Sequence, residues 1–144
     1  MIAVSCTSTE GRINLADGTI LKLMVNIIDV RENGFSPFGG VNLSIKQSGG
    51  TAAVKVPDEL VQSVKDKPLY SSANQPQDGW EMIEIAESTP AKAETKIQTT
   101  KGYFLVEIKS LATMVSRNMT FKNEFNEPVY LVNFVIPFSW KLVS

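Results

Sequence analysis

The sequence predicts a mainly β protein. We expect an antiparallel β-sandwich or barrel-like domain spanning residues 1–144, with one short α-helix at about 57–67. Three observations carry this. Apolar residues recur at period two, as in Leu21, Leu23, Val25 and Ile27, and again in Val41, Leu43 and Ile45. Clusters of Gly, Asn, Asp and Pro punctuate these runs at short intervals. Only one segment begins and ends as a helix does.

Residues 2–7 read as a short first strand, with Cys6 as a small apolar side chain in it. Glu10-Gly11-Arg12 and Ala16-Asp17-Gly18 are turn signals on either side of Ile13-Asn14-Leu15. Residues 19–31 form the clearest strand, one face apolar and the other mixed. Residues 32–40 follow as a loop holding Phe35, Phe38, Gly39 and Gly40. Strands at 41–46 and 51–56, turned by Gln47-Ser48-Gly49-Gly50, complete a three-stranded meander.

Pro57 suits a first helical turn because its missing N–H has no partner there anyway. Asp58 and Glu59 complement the helix dipole, and Pro68 stops the helix. Residues 68–79 form a polar loop bordered by Tyr70 and Trp80. A strand at 80–87, a loop at 88–93, and a hairpin of 94–99 with 103–109 follow. Residues 110–118 fit helical spacing and strand alternation alike, and a strand over 114–122 is favoured. Returning strands at 129–136 and 138–143 flank Pro137.

Composition excludes several functions. The 144 residues carry 14 Lys and Arg against 15 Asp and Glu, for a net charge of −1. Nucleic-acid binding through phosphates calls for a basic excess or stripe, so no nucleic-acid partner is expected. The chain has no histidine and one cysteine. Histidine-assisted serine catalysis and zinc or copper sites therefore have no basis here. There is no Ser-x-x-Lys spacing, no phosphate-binding glycine loop and no calcium-loop pattern. No catalytic residue, metal or cofactor is expected. Glu81, Glu84 and Glu87 read as charges on a solvated strand. The chain starts without a secretory-type leader and has no apolar run near the length of a bilayer, so a cytoplasmic or otherwise intracellular, non-membrane protein is expected.

Two segments suggest binding. Phe35 and Phe38 on a glycine-bounded loop would form either a contact ridge or, more commonly, a cap on one end of the core. With Gly39, Gly40, Tyr70 and Trp80 they are the candidate binding residues. The run from Val129 to Val143 is apolar on both faces for most of its length. Such a run is either a central strand or an interface, which makes Tyr130, Phe134, Phe138 and Trp140 candidate interface residues. The expected function is non-enzymatic binding or assembly through the sheet scaffold and its loops, as a homo-oligomer or with a protein partner. The alternative is a small-molecule or carbohydrate site, with carboxylate-dependent hydrolysis if two carboxylates line it.

Overall fold

Alternating apolar residues build ten strands and one short helix in the computed structural model, which describes residues 6–71, 73 and 75–143. Strands make up about 65% of the described residues. In chain order they are β1 (Cys6–Thr9), β2 (Gly11–Leu15), β3 (Ile20–Glu32), β4 (Leu43–Lys55), α1 (Asp58–Ser63), β5 (Trp80–Ile83), β6 (Ile85–Thr89), β7 (Ala91–Thr99), β8 (Gly102–Lys122), β9 (Pro128–Val135) and β10 (Phe138–Leu142). The strands form two antiparallel sheets without closing into a barrel. The first runs β1-β7-β8-β10, with β5 and β9 also on β8. The second runs β4-β3-β2-β6.

β8 organises the first sheet. Its first half pairs with β7 on one side and β10 on the other. Its second half pairs with β5 and β9. A register shift between Ala112 and Met114 switches the inward residues from Phe104, Val106, Ile108 and Ser110 to Val115 and Arg117. That change of phase is why 110–118 also matches helical spacing. A second shift, between Ile27 and Asp29, changes the phase so that Val30 rather than Asp29 enters the core.

The core is the space between the sheets. Leu21, Leu23, Val25 and Ile13 from the second sheet meet Ala93, Ile97, Phe104, Val106 and Ile108 from the first. Each large side chain so buried contributes about 1.5–3 kcal/mol relative to exposure. The opposing sheet packs on β7 and the first half of β8, and β10 lies beyond β8 at the sheet edge.

Several expectations change. Residues 47–50 are not a turn: β4 is continuous and pairs with β3 along its length. Gly49 permits this, because a Cβ there would stand 2.6 Å from the Met24 carbonyl oxygen. The segment 80–87 is not one strand. It breaks at Glu84 and switches sheets, so that β5 joins β8 and β6 joins β2. Residues 88–93 are mostly strand, the end of β6 and the start of β7. The helix spans only Asp58–Ser63, followed by turns, and Val64 just beyond it is fully buried. Cys6 is exposed: β1 is an edge strand that, among the described residues, pairs with β7 alone, and all four of its residues are exposed. The rest of the expected first strand lies outside the described residues. No helix among the described residues is long and apolar enough to cross a membrane.

Candidate functional site: an aromatic sheet edge

The β3–β4 connection is ordered by its own hydrogen bonds. Asn33 N–H donates to Asn42 O at 2.6 Å, and Asn42 N–H donates to Gly34 O at 2.9 Å. The Ser36 hydroxyl donates to Val41 O at 2.5 Å and accepts from Phe38 N–H at 3.2 Å. Gly39 and Gly40 take φ of 84° and 83°. A Cβ on Gly39 would lie 2.7 Å from the Phe104 ring. It is therefore the Gly39 backbone that covers this end of the core, and Phe35 and Phe38 project into solvent. The loop is also tied from below. Glu32 accepts from the Thr100 hydroxyl and the Thr100 N–H, at 2.5 and 3.0 Å. These two bonds hold its carboxyl pKa below the ordinary value.

β10 supplies the other wall. The Trp140 indole N–H donates to Phe38 O at 2.8 Å. Phe138 stacks on Trp140, with centroids 5.8 Å apart and planes at 27°. A shallow groove of about 490 Å³ runs between them, lined by Ser36, Phe38, Asn42, Phe138, Ser139 and Trp140. Leu142 continues the row from β10 and is exposed. These β10 side chains share the inward face of the sheet with Ile108, Val106 and Phe104. They remain open because the second sheet does not reach β10.

The fold thus joins parts of two segments distant in sequence: Phe38 and Gly39 from the loop, Phe138 and Trp140 from the C-terminal run. Phe35 and Gly40 sit in the same loop, with Gly40 against the Lys101 side chain. Tyr70 and Trp80 lie elsewhere. Tyr70 meets Trp80 and Phe121 edge-on, at centroid distances of 6.4 and 6.2 Å. The Trp80 indole donates to Pro76 O at 2.9 Å. This cluster pins the 68–79 loop to the far end of β8, about 50 Å along the strand from the aromatic edge. Phe134 is half-buried opposite Ala112. Ser36, Asn42, Ser139 and Leu142 also belong to this edge, outside the candidate residues read from the sequence. Leu142 is the one that period-two spacing from Phe138 and Trp140 already marks.

Comparison of the chain with protein-family models, with curated proteins and with solved structures gave no match.

Tyr130 belongs to a polar clasp between the sheets. The Arg117 guanidinium bonds Asp17 and, at 3.1 Å, Glu81, and lies 5.9 Å from the Tyr130 ring centroid. The Tyr130 hydroxyl is 3.2 Å from the Thr19 hydroxyl, and Thr19 N–H donates to Asp17 at 3.0 Å. Burial raises the Asp17 pKa, but the Thr19 backbone and Arg117 outweigh it, and the net shift is downward. Burial lowers the Arg117 pKa, and its contacts with Tyr130, Asp17 and Glu81 more than reverse this. Both carboxylates are engaged by the same cation, which leaves neither placed as a free acid or base. Among the described residues, no three Asp, Glu or Cys side chains converge into a metal-ligating set.

Proposed function

We propose that this is a non-enzymatic, intracellular protein of binding or assembly, acting as a homo-oligomer through the aromatic edge of its first sheet. One observation carries the reading. The exposed Phe38 and Phe138 and the half-buried Trp140 form a continuous apolar surface that is already held in shape by the Trp140–Phe38 bond and the bonded loop. A surface ordered before contact loses little further side-chain entropy on docking. Exposed rings gathered at one place are a sign of a contact surface, whereas scattered ones are ordinary. The test is solution mass by sedimentation velocity over about 5 μM to 1 mM. A rising mean mass is expected, and a strict monomer across the range refutes assembly.

A second reading has the groove itself in its favour. Stacked rings flanked by Ser36, Asn42 and Ser139 combine an apolar platform with hydrogen-bonding groups, as small-molecule and carbohydrate sites do. No carboxylate lines this groove, so binding without hydrolysis is the form it supports. Titration of oligosaccharides, followed by Trp140 fluorescence, tests it; a flat response refutes it.

A further inference from the structure

The backbone of β10 specifies more than an apolar patch. Lys109 N–H bonds Pro137 O at 3.0 Å, and Val143 N–H bonds Tyr103 O at 2.8 Å. These bonds fix the phase of the ladder. Odd-numbered residues of β10 direct their N–H and C=O groups toward β8. Those of Phe138, Trp140 and Leu142 therefore point to the open side, where no strand pairs among the described residues. An unpaired edge of this kind is a template for another strand.

Resting on the assembly reading above, we infer that the occupant of this edge is a second copy of the chain, its β10 pairing antiparallel with the first about a twofold axis at Trp140. The sequence of the edge selects that register. Centring on Trp140 sets Phe138 opposite the partner's Leu142 and uses every open backbone group, for about six hydrogen bonds between copies. It also sets Ser139 opposite the partner's Lys141. Centring on Lys141 would oppose two like charges and centring on Ser139 would leave Leu142 unpaired, each with about four bonds. Lys141 alone guards this edge, and in the Trp140 register its charge meets a hydroxyl.

The area fits a reversible dimer. Phe38, Phe138 and Leu142 are 72%, 57% and 58% exposed. Together with Trp140 they offer about 400 Å² of side chain per copy. Strand backbone and the adjoining loop bring a pair to about 1,000 Å², the lower bound for a specific interface. The rival surface is the outer face of the same sheet, where Met82, Met114, Leu131 and Val135 are exposed. Its strand β9 is likewise paired on one side only among the described residues, but the ordered Phe38–Trp140 groove adjoins β10 and not β9.

Ser139 decides the register. In the Trp140 register Ser139→Asp faces Lys141 of the other copy twice, and the dimer should tighten about threefold or more. Ser139→Lys should weaken it by a similar factor. Trp140→Lys brings two cations together on the axis and should abolish it. Each variant is checked for native circular dichroism and measured by sedimentation velocity on the full chain. If Ser139→Asp loosens the dimer, the register is overturned. If the chain self-associates but the three variants leave the affinity unchanged, or Met114→Asp disperses it instead, the β10 edge is overturned and assembly stands. A strict monomer overturns both.

Discussion

The Arg117 clasp yields an uneven set of stability costs. The Arg117 side chain is 9% exposed, Asp17 29% and Glu81 53%. Removing Glu81 as Glu81→Ala deletes the half-exposed partner, whose pairing is screened by water, so the cost should be about 0–1 kcal/mol. Asp17→Ala strips the buried guanidinium of its closer partner. It also removes the acceptor for the N–H of Thr19, a fully buried residue. Together these should cost about 3 kcal/mol or more. Arg117→Met takes away the cation but leaves two carboxylates that water reaches, and the thioether fills the space beside Tyr130. Its cost should be about 0–2 kcal/mol. Urea unfolding at neutral pH, with the slope held common, gives the three values. The order Asp17→Ala above Arg117→Met above Glu81→Ala is the expected result. If Glu81→Ala costs as much as Asp17→Ala, or Arg117→Met costs the most, burial of the guanidinium is not what sets these energies.

The remaining predictions are more local. Asp17 has a folded pKa below its ordinary 3.8, so its stabilisation is present above that value and lost as pH falls through the folded pKa. Asp17→Asn should accordingly show a flatter loss of urea midpoint between about pH 4 and pH 2 than the parent; equal slopes would refute this. Gly39→Ala forces a Cβ toward Phe104 at a positive φ and should cost about 1–3 kcal/mol, whereas Gly50, with nothing within 4 Å, should accept Ala at about ±0.5 kcal/mol. Equal thermal midpoints for those two variants would contradict the account of the loop. Ile13→Ala empties part of the core and should cost about 2–5 kcal/mol by the same measurement. Cys6 should react with a thiol reagent in the folded protein as fast as in urea, and protection in the native state would show that β1 is covered.

Much of the fold is legible where alternation is uninterrupted. Leu21, Leu23, Val25 and Ile27 read as one buried face and are one. The hairpin at 94–109 and the breaks at Pro57 and Pro137 are local chemistry. Reading fails where a strand changes phase or sheet. The Ala112–Met114 shift hides a 21-residue strand behind apparent helical spacing. The switch at Glu84 divides what looks like one run into strands of different sheets. Gly49-Gly50 looks like a turn and is instead a place where two backbones come close. The candidate site was half legible. Phe38, Phe138 and Trp140 stand out as aromatic residues in suspect segments, but nothing in their spacing says that residues a hundred positions apart share a groove.

By itself the sequence determined that this chain is β-rich, that histidine and thiolate-cluster chemistry are closed to it, and that its loop 32–40 and C-terminal run are the unusual surfaces. These follow from composition and short-range periodicity, which need no partner strand. Only the tertiary structure decided that the C-terminal run is an edge rather than a centre, that Gly39 rather than Phe38 covers Phe104, and that Asp17, Glu81 and Arg117 meet. The reason is physical. Edge or centre depends on how far the opposing sheet extends, and a salt-bridged clasp depends on which strands cross between sheets. Both are set by long-range pairing, to which local pattern is blind.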